Sequence, residues 1–167
     1  MKPIKVSELL ETLEFSSEDF VPQVDLENGC VVMIDRSIVR ALEEGDDETP
    51  DLYRNAADQS ELKIAQAYLD DSGKRFLDVP QKFDFHEYRQ MERFVGTVSD
   101  PAAAEQLWRA IKGKGAFRHF KDTAHRLGLL ESWFQYRNEA MKQFCIDWAE
   151  AKQVPFVDDI VPRKPAQ

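Results

Sequence analysis

Phe20-Val21-Pro22-Gln23-Val24-Asp25-Leu26-Glu27-Asn28-Gly29-Cys30-Val31-Val32-Met33-Ile34 decides the fold class. Two β-rich runs flank Asn-Gly, a pair that tolerates the positive φ values of a tight turn, so the stretch predicts a β-hairpin. Pro22 has no N–H for a ladder hydrogen bond and predicts an edge strand. Upstream, Ser7 is the expected N-cap of a short helix to about Phe15, with Leu9, Leu10 and Leu13 on one face. Downstream, residues 37–44 predict a short helix stopped by Gly45. Thr49-Pro50 reads as the start of a longer one to about Asp71. Arg75 to Val79 predicts a third strand, ended by Pro80.

The second half is patterned for helices. Asp84 is expected to cap one with Phe85, Tyr88, Met91, Val95 and Val98 inward, and Glu87 three residues later completes a capping box. Asp100-Pro101 opens a second, with Leu107, Trp108 and Ile111 as its stripe. A third starts near Ala116 with Phe117, Phe120, Ala124 and Leu127 inward and ends at Gly128. A fourth spans about Leu130 to Lys152, with Trp133, Phe134, Met141, Phe144, Cys145 and Trp148 at helical spacing. Residues 154–157 predict a last strand. The whole predicts an α+β fold: a small antiparallel sheet led by the N-terminal hairpin, packed against about four C-terminal helices. Residues 1–160 are expected to form a single domain, with 161–167 a frayed tail.

The 167 residues are 43% hydrophobic and 32% charged, with eleven Phe, four Tyr and three Trp. These are globular values. A net charge of −9 argues against non-specific coating of nucleic acid. The charge is uneven: residues 1–82 carry 19 acidic and 9 basic side chains, and residues 83–167 carry 12 and 13. No apolar leader and no run of 18 apolar residues occurs, so no membrane partner is expected and a cytoplasmic location is. Cys30 and Cys145 have neither CxxC nor metal spacing and predict reduced thiols. No cofactor is implied. The acidic run from Glu43 to Glu48 suits either a solvated loop or a cation.

Residues 109–126 stand apart. Six Lys/Arg and one Asp give a local charge of +5, and two of the three histidines lie here. Lys112-Gly113-Lys114-Gly115 falls where a helix is about to begin. One reading is an anion site: free amides and the dipole at a helix start favour negative charge, Gly115 lets a phosphate approach, and Lys112, Lys114, Arg118 and Lys121 add charge. A phosphate-bearing ligand or a nucleic-acid backbone would fit. The other reading is a plain helix break, with Gly113 left-handed, solvated lysines, and Phe117 and Phe120 as core anchors. The segment is not a Walker A loop.

Gly113-Lys114-Gly115-Ala116-Phe117-Arg118-His119-Phe120-Lys121-Asp122 resembles the signature of a bacterial uncharacterised protein family, number 0158 of the UPF series. Residues 25–29 with the valine pair that follows, Phe85 to Met91, and Trp133 to Trp148 with Val154-Pro155-Phe156 match the same pattern. The resemblance runs from about residue 18 to 159. It implies a bacterial cytosolic protein and no activity, so no catalytic residue is carried over. The family pattern has Arg where this chain has His119, which argues against catalysis by His119.

Other chemistry has thinner support. Asp122 lies about 60° from both His119 and His125 around a helix, an arrangement for a metal or an oriented base. Arg118 and Arg126 offer Asp122 ion pairs instead. His86-Glu87 begins HEYRQ, which lacks the second histidine of a zinc-peptidase motif. Three functions therefore stay open: a binding or regulatory module using residues 112–126 for a phosphate-bearing or acidic partner; a protein–protein adaptor or homo-oligomer using the hairpin edge; and a small hydrolase using His86, Asp122 and His125.

Overall fold

The computed structural model describes residues 1–45 and 56–160. The chain divides into two compact units, Met1–Gln81 with Cys145–Gln167, and Lys82–Phe144. It is a mixed helix-and-strand protein with a small antiparallel sheet.

In the first unit, β1 (Ile4–Lys5) leads into α1 (Val6–Glu14), and the hairpin follows as β2 (Phe20–Asp25) and β3 (Cys30–Asp35). Its register runs from Phe20 opposite Asp35 to Asp25 opposite Cys30. The loop is therefore Leu26 to Gly29, longer than the two-residue Asn-Gly turn expected. Gly29 is left-handed at φ 68°. A Cβ on it would stand 2.8 Å from the Lys2 carbonyl carbon and oxygen, so both the backbone angle and the close approach of the N-terminal segment require glycine.

Helix α2 (Arg36–Glu44) starts where Asp35 accepts the Ser37 and Ile38 amides and stops at left-handed Gly45. The acidic stretch Asp46–Glu48, the Thr49-Pro50 helix start and the tail 161–167 lie outside the described residues. Helix α3 (Ala56–Leu69) precedes β4 (Phe76–Asp78). Between them the Asp71 carboxylate accepts the amides of Lys74, Arg75 and Phe76. These bonds, Phe76 N–H first, hold its pKa below the usual carboxylate range.

The sheet order is β3-β2-β4, so β2 is central and the edge placement inferred from Pro22 is wrong. The physical reason is that β4 is short. It pairs only with Gln23, Val24 and Asp25, and at Pro22 the sole neighbour is Met33 of β3. Proline is tolerated because the central strand is locally an edge there.

Where β2 has two neighbours it is buried, including the polar Gln23 and Asp25. Gln23 Nε2 donates to Asp78 Oδ1 across the rung at 2.8 Å. Asp25 accepts five hydrogen bonds: from the Glu27 and Asn28 amides, from Asn28 Nδ2, and from Arg75 Nε and Nη2 at 3.0 and 2.8 Å. Burial alone would raise its pKa, but the Arg75 and Asn28 hydrogen bonds outweigh that and hold it low.

Ser7 is not the cap of α1. Lys5 occupies the N-cap position without a side-chain bond, two residues before the expected cap. The orphaned amide is satisfied from the far end of the chain: Asp159 accepts Ser7 N–H at 3.0 Å and Ser7 Oγ–H at 2.6 Å. Nearby, β5 (Phe156–Val157) pairs in parallel with β1.

The second unit holds α4 (Lys82–Phe85), α5 (Glu87–Val95), α6 (Pro101–Ala110), α7 (Ala116–Arg126) and residues 130–144 of α8 (Leu130–Ala151). Asp100 caps α6 through the Ala102 amide, with Pro101 at the first helical position. The core comprises Met91, Phe94, Val95, Leu107, Ile111, Phe120, Ala124 and Trp133. Phe120 meets Trp133 edge-on at 5.0 Å and Phe94 meets Trp133 at 5.5 Å.

Asp25→Ala should lower stability by about 2–4 kcal/mol at neutral pH, because it removes a buried carboxylate and leaves Arg75 without its main partner. Asp25's folded pKa is depressed, so its contribution is complete above the unfolded value and vanishes as pH falls through the folded one. Denaturation midpoints of wild type and variant should therefore differ steadily from pH 7 to about pH 4 and converge only below that. Gly29→Ala should cost about 1–2 kcal/mol from the left-handed backbone alone, with the clash against Lys2 added.

Candidate anion-binding surface

Helix α6 ends at Ile111, and two left-handed glycines, Gly113 at φ 89° and Gly115 at φ 74°, reverse the chain into α7. Gly115 stands at the N-cap, where no side chain caps the helix. The first helical bond is His119 N–H to Gly115 O at 3.0 Å, which leaves the Ala116, Phe117 and Arg118 amides at the helix mouth. The His119 ring folds back over Gly115: a Cβ there would lie 3.3 Å from Cδ2 and Nε2.

Ala116, Phe120 and Ala124 form the buried stripe of α7. Lys112, Lys114, Arg118, His119, Lys121, Asp122, His125 and Arg126 are all exposed. The side chains of Lys112, Lys114 and Lys121 make no hydrogen bond or ion pair among the described residues. Arg118 approaches Asp122 only at 3.8 Å with both side chains in solvent, a pair of little strength. Arg126 donates to Gln106 and not to Asp122, so only one of the two pairs expected for Asp122 forms. Arg109 is matched by Glu105 one turn earlier.

Phe117 is exposed at 48% and Trp108 at 39%, so neither is the core anchor that periodicity suggested. The other expected members Leu107, Ile111, Phe120 and Ala124 are buried. Phe120 with Ala116 and Ala124 fills the interior of α7, and Leu107 with Ala103 fills that of α6. Tyr88, also placed inward, is exposed at 38%, and its hydroxyl donates to the Ile111 carbonyl at 3.1 Å.

The histidines do not assemble. His86 caps α5 in a left-handed conformation at φ 50°, its ring edge-on to exposed Phe83. No hydrogen bond, ion pair or ring contact joins it to Asp122 or His125 among the described residues. No group of three His, Cys, Asp or Glu there is placed to hold a metal. The expected capping box also fails. Asp84 lies inside α4, and Glu87 turns to α8, where it accepts from Arg137 Nε at 2.6 Å, half-shielded from solvent. A partner 50 residues away outcompetes a local cap because it brings a full charge.

At the sheet, Glu8 Oε2 of α1 accepts the Val31 N–H at 2.8 Å. A strand docking on β3 would need that amide, so the hairpin edge is occupied at this rung. The thiols are poorly reactive. Burial pushes Cys145 up to about 12. Cys30 is also raised, by burial first and then by the charges of Asp25 and Glu8. No helix among the described residues is long and apolar enough to cross a membrane. Alkylation at pH 8 should leave Cys145 unmodified in the native protein and modify both cysteines in denaturant, as read by intact mass.

No solved structure matches the chain. It is 26% identical over 89 residues to the UPF0158 protein PA5073 of Pseudomonas aeruginosa, a match covering 53% of this chain and 58% of that protein. The family model described as uncharacterised protein family UPF0158 matches residues 1–163, which include both units and the exposed glycine–lysine turn, and the chain belongs to that family.

Proposed function

We propose that the chain is a binding module for a phosphate-bearing polyanion, contacted through Lys112, Lys114, Arg118 and Lys121. The observation that carries this reading is that Lys112, Lys114 and Lys121 stand exposed around one helix start with no acidic partner among the described residues. A surface kept for solubility in an acidic protein gains nothing from such a cluster. An anion there meets the positive charge of these side chains together with the first-turn amides of α7. Arg118 adds a planar fork suited to phosphate oxygens, and its weak hold on Asp122 is easily exchanged.

Fluorescence anisotropy with labelled RNA and DNA tests this. Four phosphate contacts predict a loss between 50 and 200 mM salt of about 50-fold in affinity for single strands and about 150-fold for duplex DNA. The variant K112Q/K114Q/R118Q/K121Q should bind at least tenfold more weakly and with a flatter salt slope. Equal binding by wild type and variant, or no binding by the wild type at 50 mM salt, overturns the proposal.

A further inference from the structure

Two half-exposed rings are each followed four residues later by an unpaired lysine: Trp108 by Lys112, and Phe117 by Lys121. Around α7, at about 100° per residue, Phe117 and Lys121 lie about 40° apart on one flank, while Asp122 lies about 140° from Phe117. Lys112 lies just beyond α6, four residues after Trp108 and two past the last helical residue. The acidic neighbour on that side, Glu105, is held by Arg109. The two helices pack on each other across the Gly113–Gly115 turn. A third ring, Tyr88, is pinned at the same place by its bond to the Ile111 carbonyl, the residue before Lys112.

We infer that this surface takes single-stranded nucleic acid, with bases stacked on Trp108 and Phe117 and the backbone phosphates on Lys112 and Lys121. The inference rests on the polyanion reading above and adds the ligand's form. Free phosphate or a duplex needs only the cations. An exposed indole and phenyl, each followed four residues later by a lysine, match the alternation of base and phosphate along an unpaired strand. A duplex hides its base faces and leaves both rings uncovered. A site of this kind spans roughly 4–16 nucleotides.

The experiment compares a 12-nucleotide single strand, as RNA and as DNA, with the duplex of the same sequence, inorganic polyphosphate and a poly-glutamate peptide. Wild type, Phe117→Leu, Trp108→Leu and the four-site neutralised variant are measured, with circular dichroism checking each fold. Phe117→Leu keeps an apolar side chain and loses only the ring at an exposed position, so it should fold even if Trp108→Leu does not. The expected result is single-strand affinity at least tenfold above duplex and polyphosphate, weakened about tenfold by Phe117→Leu with duplex binding unchanged. Quenching of tryptophan fluorescence by the single strand should vanish in Trp108→Phe. Preference for RNA over DNA, or the reverse, identifies which single strand is the ligand. Equal affinity for single strand, duplex and polyphosphate, unaltered in Phe117→Leu, overturns the stacking inference and leaves the polyanion site standing. Preference for the acidic peptide overturns it as well. Absence of binding to every probe overturns both.

Discussion

The Asp25–Arg75 pair reinforces the junction between the hairpin loop and the start of β4. A carboxylate at 0% exposure is costly unless each of its lone pairs is used. Here the loop amides of Glu27 and Asn28 and the Asn28 side chain take part of that capacity. The Arg75 guanidinium takes the rest from the strand on the other side. The hairpin loop is thus tied to the entrance of β4, and the Leu26 N–H to Arg75 O bond at 2.9 Å extends the ladder beyond the last paired residues. Arg75 also reaches Glu27 with Nη1, so one side chain neutralises two acids in the chain's most acidic half. The left-handed turn at Gly29 then admits the Lys2 backbone, and the N-terminal segment can lie against the loop.

The helical unit works from the opposite principle. Its interior is a ring cluster of Phe94, Phe120 and Trp133 that needs no polar partner. Edge-to-face contacts among these rings fix which side of α7 faces inward. Once Phe120 occupies that position, Phe117 is carried to the flank with Lys121. The surface aromatics are therefore a geometric consequence of the core. The same packing spreads the cations outward, because Ala116 and Ala124 fill the stripe beside Phe120 and leave no room for a long charged side chain. Glu87 and Arg137 add a half-buried ion pair between α5 and α8, removing from the surface one acid that would otherwise reduce its positive charge.

The contrast between the two sets of charges carries the functional argument. In the first unit four acids are matched: Asp25 by Arg75, Asp71 by three amides, Asp159 by Ser7, and Glu8 by the Val31 amide. Around the Gly113–Gly115 turn the side chains of Lys112, Lys114 and Lys121 are unmatched among the described residues. Matched groups serve the fold, whereas unmatched ones of a single sign remain available to something outside it.

Local signals determined much of this protein from sequence. The β-rich runs around residues 20–34, the Gly45 stop, the Asp100-Pro101 helix start and the glycine-bracketed α7 all act within about four residues of the backbone they shape. The basic character of residues 109–126 was legible for the same reason. Tertiary structure alone decided the rest. Whether β2 is central or an edge depends on β4, some fifty residues on. Ser7 finds its cap at Asp159, 152 residues away, and Glu87 its partner at Arg137, 50 away. Trp108 and Phe117 read as core by spacing beside Leu107 and Phe120, yet only Leu107 and Phe120 are inside. Periodicity names the residues of a helical stripe only to within one position, and the competition among side chains for a common interior selects the ones that go in.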